Sequence, residues 1–356
     1  MTEPPLAAGH RRAVVKARIE RVRELCGESG AFIRSRRNVA WLTLGADAHV
    51  VDTTDDASLA IVITRDGCQM LTTTIEERRL RDEELAGLAA PTAVPWETPL
   101  RAAALEIAGS DLIDDVALED ALRVERARLD RTERDRVRWL GPRAAAAVLA
   151  VAGAASPGET EAAIAAEIRR ALAAVTVAAP LVLVAADDRI ARYRHPLPTS
   201  RPVERTLMLV LVAERWGLHV ALTRMVSFGS ASEELARRHA AARGVERAIH
   251  GATRIGRTLG ETLADGIAAY ASQGYAEEWR LHHQGGTIAY RGREIVATRE
   301  ETALVEAGAA FAWNPSITGA KVEDTFLLCA DGRRETVTRD ARWPSDPDGA
   351  PLILER

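Results

Sequence analysis

Residues 192–224 constrain the fold of this chain more than any other stretch, because they join a proline-rich turn to a buried hairpin. His195 lies in that turn, directly before a proline. Residues 207–212 are apolar, with the length and β-branched content of a buried strand. A tight turn at residues 216–217 predicts a second strand ending at residues 222–224. We therefore expect chemistry here, with polar groups from later in the chain converging on His195.

The chain has 356 residues, 47% of them hydrophobic, which predicts two domains because single cores stop growing near ~250–300 residues. We expect an N-terminal α/β domain over residues 1–130 and a second domain over residues 131–356. The net charge of −4 gives no electrostatic reason to expect binding to nucleic acid or to an anionic membrane. Neither a signal peptide nor a membrane span is predicted, and the three dispersed cysteines are typical of a reduced, cytoplasmic protein.

Local patterns give a mixed α/β (α+β) fold class. In the first domain, Asp66-Gly67 predicts a hairpin, because this pair supplies the positive φ of a two-residue turn. The predicted helices there are residues 11–26, ended by Gly27, and 76–88, and the predicted strands are residues 31–33, 39–42, 58–64 and 68–72. In the second domain the predicted helices are residues 133–155, 160–172, 232–250 and 258–271, and the predicted strands include residues 181–184, 207–212, 311–313 and 322–329.

Several short motifs occur in an order that points to a known family. They are NVAWLTLG at 38–45, PGETE at 157–161, the histidine-proline turn, the hairpin ending in LTR, HHQGG at 282–286 and VEDT at 322–325. In this order they resemble the creatinase/aminopeptidase P family, the pita-bread metallopeptidases of clan M24. The resemblance implies a creatinase-like N-terminal α/β domain, a C-terminal pita-bread domain and the homodimer usual in that family.

The resemblance also implies a centre of two divalent ions held by two Asp, one His and two Glu, but most of these ligands are missing. The matching positions are Val210, Ala221 and Asn314, with only Glu323 and His283 kept. Hard divalent ions need several oxygen ligands, which Val and Ala do not offer. We therefore predict an enzyme without metal or other cofactor. A degenerate Xaa-Pro peptidase with one metal is an alternative.

His195 matches the family's non-ligand histidine, which shuttles protons or contacts substrate. Creatinase works without metal and uses this histidine as an acid/base, a role that suits imidazole because its pKa of ~6.5 lies near neutrality. The alternative is a histidine that only bonds a turn carbonyl.

His282 and His283 precede two glycines, which let the backbone approach a ligand closely. Paired histidines on a strand point to opposite faces, so we expect only one, His283, to enter the site, with His282 a substrate-binding candidate. The alternative is a polar loop with incidental histidines.

Further binding candidates follow in the sequence. Tyr290 takes roughly the place of another active-site histidine of the peptidases, and Arg291 or Arg293 offers a bidentate clamp for a substrate carboxylate. The alternative is a solvated charged turn. His219, beside the hairpin turn, is a further candidate to line the pocket.

Glu323 is expected to orient a histidine or bind substrate, or else to pair structurally with Arg224, which is itself a binding candidate. Asn314 offers both a donor and an acceptor to a small polar ligand, although Asn before proline is also a common turn residue.

The predicted function is metal-independent, creatinase-like hydrolysis of a C–N bond in a small polar nitrogen compound. His195 is the expected proton shuttle and His283 a second acid/base, while Glu323 and Asn314 position the ligand. Lyase, cyclase and isomerase variants use the same groups. The alternative from another class is a binding module that kept the fold and lost the chemistry.

Overall fold

The computed structural model describes residues 2–109 and 111–356, which divide into two compact units. The first contains Thr2–Arg126 together with Trp216–Leu218, and the second contains Ala127–Arg215 and His219–Arg356. Among the helices described, none combines the length and the apolar character needed to cross a bilayer.

The first unit is built on a five-stranded sheet with strand order β4-β3-β2-β1-β5. Strands β1 to β3 pair antiparallel, while β4 and β5 add in parallel at the two edges. One apolar cluster packs α4 on this sheet. The strands are β1 Gly30–Ser35, β2 Asp56–Ile63, β3 Cys68–Thr73, β4 Thr92–Val94 and β5 Leu112–Asp114, and the helices are α1 Ala8–Cys26, α2 Arg36–Leu42, α3 Glu77–Arg79 with a π-helical turn Leu80–Glu84, α4 Leu100–Ala108 and α5 Glu119–Ala127.

Two N-terminal predictions are confirmed and one is wrong. Helix α1 ends before Gly27, whose φ of 61° lies in the region open to glycine, and β1 covers the strand predicted at residues 31–33. Residues 39–42 are helical rather than extended, as part of α2. All four are buried. An apolar run buried on every side has no period, so a buried helix and a strand look alike in sequence.

The predicted hairpin is present, but its turn differs. Strand β2 ends at Ile63 and β3 begins at Cys68, so the loop has four residues rather than two. Gly67 does not adopt the positive φ expected of a two-residue turn. Thr64 closes the loop, because its N–H donates to the Gly67 carbonyl (3.0 Å) and its Oγ1 accepts from the Gly67 N–H (3.1 Å). The helix predicted over residues 76–88 is shorter in the structure, where it comprises only α3 and the π-helical turn that follows it.

The second unit contains a four-stranded sheet, β16-β8-β7-β6, a five-stranded sheet, β10-β9-β11-β14-β15, and a two-stranded hairpin, β12-β13. In four of its helices the N-cap side chain accepts a hydrogen bond from a backbone N–H, and two of these caps, Asp130 and Thr258, form capping boxes. The helices are α6 Arg131–Ala154, α7 Glu161–Ala173, α8 Asp188–Arg192, α9 Glu233–Ala252, α10 Leu259–Ser272 and a 3₁₀ turn Glu278–Leu281, and the strands are β6 Ala178–Ala186, β7 Thr206–Arg215, β8 Leu218–Ser227, β9 Gly285–Thr287, β10 Ile295–Val296, β11 Ala310–Trp313, β12 Ser316–Ile317, β13 Ala320–Lys321, β14 Asp324–Leu328, β15 Arg334–Thr336 and β16 Leu354–Glu355.

A single bridge brings the two larger sheets of this unit together at the site. Thr223 on β8 pairs antiparallel with Glu323, and its N–H donates to the Glu323 carbonyl at 3.0 Å. Strand β9 must also be glycine-rich, because a Cβ on Gly285 would collide with the backbone of Ala312 on β11. The histidines before β9 and the acidic end of β14 are thereby held on the same side of the unit.

Candidate active site

A cavity of about 170 Å³ lies in the second unit and has one apolar and one polar side. Strands β6 and β7 supply the apolar side, with Leu183 directly opposite Val210 in the sheet register. Five of the catalytic and binding residues predicted from the sequence reach the cavity. The lining residues are Leu181, Leu183, Val210, Val212, His195, His283, Gly292, Arg293, Asn314, Lys321 and Glu323.

Among the residues that the structure describes, Glu323 is the one carboxylate that lines this cavity, and it is 2% exposed. Its Oε1 accepts from Arg293 Nη2 (2.5 Å), and its Oε2 accepts from Thr223 Oγ1 (2.7 Å) and lies 3.5 Å from Lys321 Nζ. Burial on its own would raise the pKa of Glu323, but Lys321 and Arg293 outweigh it and lower that pKa to about 2. The carboxylate is therefore charged at neutral pH.

Lys321 is a site residue that the sequence reasoning missed. It is 4% exposed, and burial lowers its pKa while Glu323 opposes that effect. Its spacing from Glu323 could have revealed it in the sequence, because side chains two residues apart in an extended chain project to the same side. Lys321 and Arg293 place two basic groups against one carboxylate, so the polar side carries a net positive charge when both are protonated.

His195, His282 and His283 form a cluster at the edge of the cavity. His195 Nε2 lies 2.8 Å from His282 Nε2, and the ring centroids are 4.7 Å apart for His195–His282, 6.1 Å for His195–His283 and 4.3 Å for His282–His283. Of the two neighbouring histidines, only His283 is part of the cavity lining, as expected, but His282 still joins the cluster through His195. His283 lines the cavity, and His282 contacts His195 beside it, because the chain here leaves a 3₁₀ turn and has not yet entered β9.

The hydrogen bonds determine the tautomers in this cluster. His282 Nδ1 faces the carbonyl oxygen of His283, so Nδ1 carries the proton and Nε2 has the lone pair. His195 Nε2–H then donates to His282 Nε2, which leaves the lone pair of His195 on Nδ1.

All three imidazoles are neutral at pH 7. Burial, followed by the charge of Lys321, lowers the pKa of His282 to about 3. Burial and Arg293 lower the pKa of His283 to about 4. His195 reaches solvent, but burial and Lys321 still lower its pKa, against a smaller opposing effect of Glu323. The cluster therefore offers bases rather than acids in the resting protein.

Asn314 and Arg293 leave polar atoms unsatisfied at the cavity. Asn314 is 3% exposed, and its backbone N–H donates to the Gln284 carbonyl at 3.0 Å. Among the described residues, its Oδ1 has no hydrogen-bond partner, and neither has Arg293 Nε, although both are buried. An acceptor and a donor without partners are costly unless a ligand or water pairs with them.

Arg224, which the sequence analysis named as a binding candidate, does not line the cavity. It is buried away from the cavity lining, and its Nη2 donates to Asp324 Oδ1 (2.8 Å) and to the Thr338 carbonyl (2.9 Å). The idea that Arg224 pairs with the Glu323 carboxylate is therefore wrong. That partner is Arg293, while Arg224 reaches only the Glu323 backbone carbonyl, at 3.1 Å.

Three further candidates also lie outside the lining of this cavity. Tyr290 is buried, and its hydroxyl donates to Glu133 Oε1. His219 Nδ1 lies 3.1 Å from the Ala289 carbonyl oxygen. Arg291 is exposed. Of the arginines predicted near Tyr290, only Arg293 reaches the cavity.

Two hydrogen-bond networks, one buried and one partly buried, position the site residues. Tyr270 donates its hydroxyl hydrogen to Gln284 Oε1 (2.6 Å) and accepts from the Ser316 N–H (2.8 Å), which links the segment after His283 to the segment after Asn314.

Arg194, next to His195, forms the second network. Its Nη2 pairs with Glu278 and donates to Thr318 Oγ1 (2.9 Å), while its Nη1 donates to Ser316 Oγ (3.3 Å). The loop that carries His195 is thereby tied to the 3₁₀ turn before His282 and to the β12–β13 hairpin that carries Lys321.

The fold and the cavity define a pita-bread α/β protein with a small polar site in its C-terminal unit. The sequence profile described as Metallopeptidase family M24 matches residues 136–329, more than half of the chain. The chain belongs to metallopeptidase family M24, which confirms the family and the fold expected from the sequence motifs. No curated protein sequence matches the chain significantly.

Solved structures share the fold over nearly the whole chain. A dipeptidase from Mycobacterium ulcerans is 19% identical, with 99% of this chain and 100% of that one covered and a TM-score of 0.77. An Xaa-Pro dipeptidase from Bacillus anthracis is 16% identical over 96% and 100%, with a TM-score of 0.76. The N-terminal domain of a FACT complex subunit from chickpea is 10% identical over 93% and 96%, with a TM-score of 0.68. At these identities the likeness establishes the fold alone.

The residues at the family's ligand positions do not fit a centre of two divalent ions. Val210 and Ala221 have no side-chain oxygen, and Asn314 brings one neutral oxygen. The carboxylate of Glu323 is already bound by Arg293 and lies beside Lys321. Divalent ions at this carboxylate would have to displace or repel both of these basic groups.

Proposed function

We propose that the protein is a metal-independent hydrolase that cleaves a C–N bond in a small anionic compound by imidazole acid/base chemistry. One observation carries the proposal: Glu323 is bound by side-chain cations, Arg293 and Lys321, opposite neutral imidazoles in one cavity. Protonated side chains can supply the positive charge that metal ions supply elsewhere in the family.

His195 is the proposed general base. Its Nδ1 lone pair removes a proton from a water molecule, and the resulting hydroxide adds to the carbon of an amide or amidine C–N bond. The imidazolium then returns the proton to the leaving nitrogen as the bond breaks, so the proton balance closes. Proton transfer by a positioned imidazole contributes about 10²–10⁴-fold to rate.

Lys321 and Arg293 are the proposed charge-stabilising groups. Negative charge develops on the heteroatom bonded to the attacked carbon, and fixed donors in a cavity shielded from water stabilise it strongly. Because these donors are buried and held by Glu323 before any ligand arrives, little reorganisation is needed.

The cavity also indicates the substrate. Its polar side carries two basic groups and one carboxylate, which favours a ligand with a carboxylate or similar anion. The unsatisfied Arg293 Nε calls for an acceptor and the unsatisfied Asn314 Oδ1 for an N–H. A volume of about 170 Å³ is close to that of cavities that hold benzene, about 150 Å³. These features favour a compact amide or amidine acid over a dipeptide.

The proposal is tested with protein purified in the presence of chelator, assayed against small carboxylate-bearing amides and amidines and against Xaa-Pro dipeptides. We expect turnover of a member of the first group, unchanged by EDTA and lost in His195→Ala. Activity that appears only after Mn²⁺ or Co²⁺ is added, or that is confined to Xaa-Pro dipeptides, would instead support a degenerate metallopeptidase. Binding of these compounds without any turnover would indicate a binding module.

A further inference from the structure

The histidine cluster has a chemical capacity that acid/base catalysis does not use. One ring nitrogen from each of His195, His282 and His283 lies within 4.8 Å of the other two. We propose that these three imidazoles bind one borderline transition-metal ion, with Zn²⁺ as the reference case, and that the bound ion inhibits the enzyme. The ligand set contains no carboxylate, so it differs from the two-metal centre of the family.

Imidazole is a preferred ligand of Zn²⁺, Cu²⁺ and Ni²⁺, and a site with three histidines leaves a fourth position open for water. Two nitrogens bound to one Zn²⁺ at about 2.1 Å each lie at most about 4.2 Å apart. In this structure the distances between the candidate ligand nitrogens run from 2.8 Å, between His195 and His282, to at most 4.8 Å. The nitrogen–nitrogen distance in a zinc site falls within this range. Small ring rotations suffice to close the site, and His195 and His283 are exposed enough to make them.

His282 is already oriented as a metal ligand. Its Nδ1–H donates to the His283 carbonyl oxygen, which directs the Nε2 lone pair towards His195. Metal-binding histidines are commonly held in this way, by a backbone carbonyl on the nitrogen that does not bind the metal. The exposed rings of His195 and His283 give the ion a route from solvent.

The positive charges of Lys321 and Arg293 weaken the binding of a cation by the three imidazoles but leave the imidazole nitrogens available as ligands. Lys321 and Arg293 are close enough to act electrostatically on the imidazoles, and Glu323 compensates for one of them. Lys321→Met should therefore tighten Zn²⁺ binding while leaving all three histidines in place.

Zn²⁺ bound through Nε2 of His195 would shift the proton of that imidazole to Nδ1, which removes the lone pair proposed as the general base. The inhibition therefore rests on the proposed function, whereas metal binding by the cluster does not. If turnover proved metal-dependent, the proposed function would fail while the binding measurement still stood on its own.

The experiment is a Zn²⁺ titration of the full chain, freed of metal by chelator and desalting, in competition with a chromophoric zinc chelator at pH 7.5. The variants are His282→Ala, His195→Ala and Lys321→Met, and the matched control is His10→Ala, which replaces an exposed histidine on α1. Circular dichroism establishes that each variant is folded.

We expect one Zn²⁺ per chain, with affinity weakened at least about tenfold in His282→Ala and in His195→Ala, unchanged in His10→Ala and tightened in Lys321→Met. Mn²⁺ and Mg²⁺ should compete poorly, because they prefer oxygen ligands. Absence of stoichiometric binding, or binding that His282→Ala leaves unchanged, would overturn the site. Preference for Mn²⁺ over Zn²⁺ would also overturn it, in favour of an oxygen-ligand centre.

Discussion

Lys321 and Glu323 lie two residues apart in the chain, and their charged atoms are 3.5 Å apart in the protein interior. Arg293, from a distant segment, binds the same carboxylate at 2.5 Å. A buried carboxylate is stable only when cations or hydrogen bonds compensate its charge. Here Lys321 and Arg293 supply the positive charge, and Thr223 Oγ1 donates a hydrogen bond. The predictions below follow from this arrangement and from the imidazoles opposite it.

Replacing Lys321 by Met should lower kcat/KM for an anionic amide or amidine by about 10²–10³-fold, the usual effect of removing one preorganised donor. Glu323 keeps Arg293 and Thr223, so the protein should still fold. Steady-state kinetics provides the measurement, and Lys321→Arg, which keeps the charge, is the matched control. Equal losses in the Met and Arg variants would show that charge is not what Lys321 contributes.

Replacing His195 by Ala should lower kcat about 10²–10⁴-fold with little change in KM, because a general base acts on the chemical step. His10→Ala serves as the control. A large increase in KM at constant kcat would mean that His195 binds substrate instead.

The acid limb of the pH–rate profile should lie below the ordinary imidazole pKa of about 6.5. Burial and Lys321 lower the pKa of His195, so its basic form persists to lower pH and activity is lost only as pH falls through the lowered pKa. In Lys321→Met the residual activity should have its acid limb at higher pH, because a neighbouring cation is gone. An acid limb at the same pH in both proteins would contradict the role of Lys321.

His250 should make the fold acid-sensitive. It is half-buried, its ring packs against Phe326 with ring centroids 4.8 Å apart, and burial lowers its pKa to about 3. Between pH 6.5 and 3 this histidine is protonated in the unfolded chain but not in the folded chain. The free energy of unfolding therefore decreases as the pH is lowered through this range. At pH 5 this amounts to about 2 kcal/mol.

His250→Phe should therefore reduce the difference in the free energy of unfolding between pH 7 and pH 5, as measured by urea denaturation. His10→Ala should leave that difference unchanged. If His250→Phe unfolds with the same pH dependence as the parent chain, His250 is not the source of acid sensitivity.

Tyr270→Phe should destabilise the fold by about 1–3 kcal/mol, because Gln284 Oε1 and the Ser316 N–H lose their buried partner. It should also lower kcat, since those bonds position His283 and Asn314. Tyr275→Phe is the matched control, because the Tyr275 hydroxyl has no hydrogen-bond partner among the described residues. Similar destabilisation by both substitutions would argue against the positioning role.

The sequence alone determined the features of this protein that depend on neighbours in the chain. Local sequence patterns predict α6, α7, α9 and α10, and the apolar run before Trp216-Gly217 predicts the β7–β8 hairpin. The order of the motifs was enough for the family. These signals suffice because capping, turn formation and strand burial are decided within a few residues.

Only the tertiary structure decided which charges meet. Arg293 and Glu323 are 30 residues apart in sequence, and nothing local favours Arg293 over Arg224 as the partner of that carboxylate. His195 and His282 come together across 87 residues. The helical state of residues 39–42 likewise followed from burial on every side rather than from local preference. Long-range pairing depends on how whole elements pack, and short sequence patterns do not encode that packing.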